Sequence, residues 1–210
     1  MNSKGLNYFE RISQNWWALL IVFMIMLNSG CVKNTANQYG PFLAINDSTV
    51  VMNGDMTRKV DNQFQSLLED FPAIQTIIME KCPGSRDDEE MFEAAMLLHT
   101  QGINTHLPAN AKIESGAVDF YLAGATRTRE IGSRIGVHSW SDGNNSATDY
   151  PYGHSEHELY ISYYENIGLE RTEAENLYYF IIESASPNNM HWMTEEEMEQ
   201  YGISNNSSST

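Results

Sequence analysis

Basic residues are scarce in this chain: 12 Lys and Arg stand against 28 Asp and Glu, giving a formal charge of −16. Wrapping nucleic acid needs clustered Lys and Arg to displace counterions from phosphates, so that class of partner is excluded. Acidity of this kind reports solubility rather than a partner. Cysteine is scarcer still, with only Cys31 and Cys82. If the first is modified after export, as argued below, Cys82 is the one unmodified thiol, which excludes an internal disulfide. The chain also has little apolar length: the run Trp16 to Leu27 (WWALLIVFMIML) is twelve residues, short of the roughly 20 that a membrane-spanning helix needs.

That run follows Lys4 and Arg11 and ends in Asn28-Ser29-Gly30-Cys31, which is a signal-peptide layout. Small residues directly before a cysteine resemble the lipobox of bacterial lipoproteins, in which the cysteine is lipidated and becomes the new N-terminus. Asn28 departs from the aliphatic residue usual there, with Leu27 one position earlier. Residues 1–31 are therefore read as a signal peptide or lipoprotein anchor with Cys31 as the lipidation site, against an uncleaved anchor with an inert thiol. Removal of residues 1–30 takes Lys and Arg from 12 to 10 and Asp and Glu from 28 to 27, for a charge of −17.

The remaining length suits one medium domain with a proper core. Residues 32–47 (VKNTANQYGPFLAIND), polar around Gly40-Pro41, read as a linker. Residues 204–210 (SNNSSST) read as a disordered tail. Between them, Ser48 to Met52 reads as a strand closed by Asn53-Gly54, and Val60 to Asp70 as an amphipathic helix with Val60, Phe64, Leu67 and Leu68 apolar. Ile74 to Met79 is a second strand, followed by the turn Cys82-Pro83-Gly84-Ser85 and a helix from about Asp87 to Thr100, whose acidic start suits the macrodipole. Ile103 to Leu107 and Arg134 to His138 are further strands, Gly116 to Ala123 a short buried helix, and Ser155 to Gly168 and Glu170 to Ala185 two C-terminal helices. Strands alternating with helices imply an α/β fold with a mainly parallel sheet and flanking helices.

Three places in that layout converge: Pro83-Gly84 ends a strand, Ser115 leads into a helix, and His138 ends another strand. A serine at a helix N-terminus sits in positive potential that stabilises developing negative charge on its oxygen, and the next N–H, on Gly116, points to the same pocket. Gly116 is a candidate oxyanion donor, and Gly84 a second, because glycine lets the backbone approach a ligand. Spacing alone leaves Ser115 open between a nucleophile and a helix N-cap, and His138 between a base and a strand-end histidine bonded to a carbonyl.

These residues resemble the ClpP/crotonase superfamily, specifically the Clp protease proteolytic subunit, signal-peptide peptidases and related exported bacterial proteins. The resemblance spans about Ser48 to Ile203, read as a ClpP/crotonase-like domain over 48–203, and rests on order and spacing. Cys82-Pro83-Gly84-Ser85 stands where the family has Ser-Pro-Gly-Gly. Ser115-Gly116 is followed nine positions on by the glycine of Ala123-Gly124, and His138 comes 23 residues after Ser115. Met190 to Ile203 (MHWMTEEEMEQYGI) looks like the family's segment in which a short helix ends in Tyr-Gly and an apolar residue.

The resemblance implies Ser115 as nucleophile, His138 as general base, an oxyanion hole from Gly84 and Gly116, no cofactor, and a peptide or protein substrate. It also implies self-assembly into a homo-oligomer, and with the anchor it places the chain in the bacterial cell envelope on the periplasmic side. The family's orienting aspartate falls near Ser186, yet no Asp follows Asp149; Glu183 is the nearest acid and the candidate third member of a degenerate triad. A catalytically inactive relative that keeps the fold for binding or assembly is the alternative.

Three other features carry bland readings beside sharper ones. His154 and His157 lie three apart and could serve a metal, but no third ligand is placed, so a solvated helix start is preferred and no metal is assigned. Cys82 could be a reactive thiol near a helix start or a small residue at a tight turn. Tyr160, Tyr163, Tyr164, Tyr178 and Tyr179 read as packing or a subunit contact.

Overall fold

The computed structural model describes residues 37–205. The anchor over 1–31 and the lipidation of Cys31 lie outside the described residues, as does most of the tail. In chain order the strands are β1 (Gln38–Tyr39), β2 (Phe42–Asn46), β3 (Thr49–Met52), β4 (Thr76–Met79) and β5 (Lys81–Cys82). They continue with β6 (Asn104–Leu107), β7 (Lys112–Glu114), β8 (Arg127–Arg129), β9 (Arg134–Val137) and β10 (His191–Trp192). The helices are α1 (Val60–Asp70), α2 (Asp88–Thr100), α3 (Gly116–Leu122), α4 (Glu158–Asn166), α5 (Arg171–Ser184) and α6 (Glu195–Gln200).

The strands form two sheets. The larger has the order β1-β2-β3-β4-β6-β8 and the smaller β10-β9-β7-β5. Pairing is parallel from β3 through β8 and among β5, β7 and β9, while β1, β2 and β10 add antiparallel pairings. The chain thus repeats one step: a strand of the large sheet (β4, β6, β8) runs within a few residues into a short strand of the small one (β5, β7, β9). After β5 and β7 it continues directly into α2 and α3.

Periodicity explains most of these elements. Val50 and Met52, Ile77 and Met79, and Thr105 and Leu107 alternate with less buried neighbours, as strands with one inward face require. Val60, Phe64 and Leu67 are the buried stripe of α1, at the spacing of one helix face. Both C-terminal helices form, although the first opens as a 3-10 turn at Ser155–His157.

Two boundaries differ from the sequence reading. From Gln38 to Asn46 the expected linker is an antiparallel pair extending the large sheet, with Gly40 at φ +60° in the turn between the strands. The burial of Phe42 and Ala44 decides this: the Phe42 ring lies 5.1 Å from Phe64 and 5.8 Å from Phe120, so the strand supplies core. The neighbours Leu43 and Ile45 are exposed yet apolar, so the two-residue alternation of burial does not show as an alternation of polarity in the sequence. At the other end, the expected tail begins too early. Ser204 Oγ lies 3.0 Å from the Tyr121 hydroxyl, and Asn205 Oδ1 accepts from the Arg127 N–H. Strand β8, whose sequence is Arg-Thr-Arg, has no apolar alternation to announce it; it is a sheet edge, where charged side chains are common.

Replacing Phe42 by alanine should lower unfolding stability by about 3–5 kcal/mol, the usual cost of emptying a buried aromatic site. Urea unfolding checks this, and an unchanged midpoint would place residues 38–46 outside the folded unit.

Candidate active site

The site is set by the register of three short parallel strands. Cys82 pairs with Ile113 across β5 and β7, and Glu114 pairs with Gly136 across β7 and β9. Continuing each strand past its end brings Gly84 beside Ser115 and puts His138 just beyond them on the other side. The contacts agree. The Ser115 N–H donates to the Gly136 carbonyl at 3.0 Å, and a methyl group added at Gly84 would lie 3.0 Å from Ser115 Cβ and 3.2 Å from the Glu114 carbonyl oxygen. At Gly116 an added methyl would collide with Ser85 Oγ. The two turns are packed too tightly for side chains at either glycine.

Ser115 has φ +53° and ψ −137°, and it is the one non-glycine residue with positive φ among the described residues. An L-residue held there costs on the order of 1–3 kcal/mol and persists only where its surroundings force it. The helix-cap reading fails, because the Ser115 side chain makes no capping hydrogen bond to α3. The turn instead places Ser115 in the lining of a cavity that Gly116 and His138 also line. The Gly116 N–H, in the first turn of a helix, has no intrahelical acceptor and is free for a ligand.

His138 Nδ1 lies 2.7 Å from the carbonyl oxygen of Ser139. A carbonyl only accepts, so Nδ1 carries a proton, and in the neutral ring the lone pair is on Nε2. This is the tautomer a general base needs. The carbonyl is itself held, because Ser139 is buried and its N–H donates to Ala185 at the end of α5 at 2.8 Å. No hydrogen bond joins Ser115 Oγ to His138 among the described residues; the two side chains share a cavity rather than a bond.

Glu183 stands elsewhere. It is exposed, accepts a hydrogen bond from the Tyr152 hydroxyl, and lines a separate surface hollow with Tyr179 and Tyr201. The structure therefore does not bring it to His138. It lies on the last turn of α5, where its side chain follows the outer face, while Ile181 and Ile182 face the cavity.

The acids that do reach the cavity are Asp88 and Asp119. Asp119, one turn into α3, is only 8% exposed, and its Oδ1 accepts from the Tyr164 hydroxyl at 2.5 Å. Burial pushes its carboxyl up to about 7, with the nearby Asp88 charge adding to the rise and the Tyr164 bond opposing it. Asp88, at the start of α2, accepts from Ser85 Oγ and from the Tyr160 hydroxyl. The sequence does carry a signal for Asp119: a carboxylate four residues after Ser115 on a helix shares that residue's face.

Aromatic residues close the rest. Trp140 lies parallel to Tyr160, with ring centres 6.0 Å apart, and its indole N–H donates to the Tyr178 hydroxyl at 2.9 Å. That hydroxyl lies 2.7 Å from His157 Nδ1, and His157 Nε2 lies 3.1 Å from the Pro151 carbonyl. Since the indole can only donate, the Tyr178 proton goes to Nδ1 and Nε2 carries the proton toward Pro151. His157 is thus a buried strut with both nitrogens engaged. His154 Nδ1 is occupied by the Glu156 N–H at 3.3 Å. Cys82 is buried, and burial pushes its thiol up to about 12, far from the range of a reactive cysteine.

No protein-family model matches this chain, and no curated protein sequence does. Solved structures do. The 1510-N membrane-bound stomatin-specific protease, in the form of a serine-to-alanine mutant, is 18% identical over 77% of this chain and 78% of that one, with a TM-score of 0.50. A Streptomyces coelicolor A3(2) protein described as a putative enoyl-CoA hydratase is 10% identical over 85% and 72%, with a TM-score of 0.51. Methylmalonyl-CoA decarboxylase in complex with 2S-carboxypropyl-CoA is 13% identical over 81% and 68%, also at 0.51. The chain shares its fold with these proteins, a stomatin-specific protease on one side and CoA-dependent enzymes on the other. At these identities the likeness concerns the fold alone.

Replacing Ser115 by glycine should relieve its backbone strain and stabilise the domain by about 1 kcal/mol, since part of the relief is offset by the freer unfolded chain. Thermal unfolding would then rise by roughly 2–4 °C; a lower midpoint would mean that the positive φ is not a cost.

Proposed function

We propose that this chain is an exported serine hydrolase of the Clp-protease type, cleaving peptide or protein substrates by acyl transfer. Ser115 attacks the carbonyl carbon, and His138 Nε2 takes the hydroxyl proton and returns it to the leaving amine. The N–H groups of Gly84 and Gly116 stabilise the oxyanion. Water then hydrolyses the acyl-enzyme by the same route in reverse. The observation that carries this reading is the positive φ of Ser115 beside Gly84, in the wall of the cavity that His138 also lines.

In this reading the Ser139 carbonyl does half of what a carboxylate would do. It fixes the imidazole's tautomer and direction but brings no full negative charge to the imidazolium that forms. The site thus lacks the charge that a triad places behind its histidine. Lack of a hydrogen bond between Ser115 and His138 favours the rival reading, a silent relative kept for binding or assembly, unless substrate closes the gap as it does in many hydrolases.

A fluorophosphonate probe separates the two. The full chain should be labelled and Ser115→Ala should not; an unlabelled chain, or equal labelling of both, removes Ser115 as nucleophile. Glu183→Gln should keep kcat/KM within about twofold because Glu183 lies outside the cavity, and a large loss would restore it to the triad.

No helix among the described residues is long and apolar enough to cross a membrane. On the sequence of residues 1–31 we place attachment to the cell envelope on its periplasmic side there, with Cys31 lipidated and the folded part free to form a homo-oligomer. A Cys31→Ser chain should leave the membrane fraction once its leader is cleaved; continued partitioning with membranes would exclude lipidation.

A further inference from the structure

We propose that the cavity beside Ser115 receives a cationic side chain, that of Lys or Arg, on the acyl side of the bond to be cut. The inference deepens the hydrolase reading and rests on it for the position of that bond. Two carboxylates, Asp88 and Asp119, line the cavity, and no Lys or Arg does. Neither acid has an ion-pair partner among the described residues, although nine such pairs are formed there. Their hydrogen bonds come from hydroxyl groups alone.

Asp119 makes the case specific. It is nine-tenths buried in the cavity wall, and its Oδ2 has no hydrogen bond among the described residues. Oδ2 is therefore reached only by cavity water, and a carboxylate stripped of most of its hydration pays a free-energy cost that an incoming cation would recover. Burial has already raised its pKa, and a bound cation would return it to the charged form. The flanking walls suit the same ligand. Trp140 and Tyr160 give the cavity aromatic walls, and Val118 and Ile182 offer apolar contact for the methylene stem. An apolar residue fits the stem but leaves both acids unpaired, and an acidic one is repelled.

Calorimetry on the full chain in detergent at pH 8 tests this without turnover, using n-butylguanidinium against neutral n-pentanol. The cation should bind at least tenfold more tightly, in the Ser115→Ala protein as well. Asp119→Asn should weaken it at least tenfold and Glu183→Gln should not. Equal binding of the two probes overturns the proposal, as does an unchanged affinity in a folded Asp119→Asn chain. If that variant does not fold, Asp88→Asn and the unmodified chain's two-probe comparison decide. The outcome is separable from the hydrolase reading. Labelling of Ser115 without preference for the cation leaves the nucleophile and removes the cation pocket. Selective cation binding without labelling does the reverse. In a labelled enzyme, Nα-acetyl-lysine ester should be cleaved with at least 100-fold higher kcat/KM than the norleucine ester, and Asp119→Asn should bring the ratio near one; no preference in the unmodified chain counts against the pocket.

Discussion

Everything at the site depends on the parallel register of β5, β7 and β9. Each strand is two to four residues long, too short to be stable alone. They hold because each follows a strand of the larger sheet that is anchored in the core. The pairings of Cys82 with Ile113 and Glu114 with Gly136 fix where the three strands end. One residue of slip would move Ser115 off Gly84 and turn alternate side chains to the opposite face. Glycine at 84, 116 and 136 lets the chains close up; at Gly136 an added methyl would meet Met190 and Trp192 within 2.9 Å.

Around that frame, hydroxyl groups hold the acids and the rings. Tyr163 donates to the Asp119 carbonyl at 2.7 Å and Tyr164 to its carboxylate, tying α4 to α3 through two buried tyrosines. Burial and the Asp119 charge push both hydroxyls well above their ordinary range, so they act as donors at every ordinary pH. Tyr160 ties α4 to Asp88 at the start of α2, and the chain from Trp140 through Tyr178 to His157 ties the loop after β9 to α5. The tyrosines that read as packing in the sequence are packing with polar ends: their rings fill space and their hydroxyls satisfy groups that would otherwise be buried unpaired.

Legibility follows the range of the physics. The strands and helices that bury a regular stripe, such as Val60–Phe64–Leu67, are readable because one periodicity governs them. So is the order of Gly84, Ser115 and His138, since each sits at a change from strand to turn. What is not readable depends on direction in space. Glu183 is near the right place in sequence, yet the face of α5 it occupies points away from His138. The Ser139 carbonyl carries no sequence signal at all, because any residue would supply it. The strand β2 is masked for a different reason: its outward residues Leu43 and Ile45 are as apolar as the inward Phe42 and Ala44, so no alternation of polarity marks it.

These features bear on one another through charge. A full carboxylate behind His138 would favour the imidazolium; a carbonyl offers only its dipole, so under the proposed mechanism the imidazolium is less stabilised than in a full triad. Asp119 lies in the same cavity as the imidazole, but its burial makes ionisation costly while the cavity is empty. A cation that entered the cavity would favour ionisation of Asp119 and occupy its free oxygen at once. Cation and carboxylate would then offset each other, so such a substrate would be held without adding net charge beside the imidazole, and His138 would still rely on the Ser139 dipole.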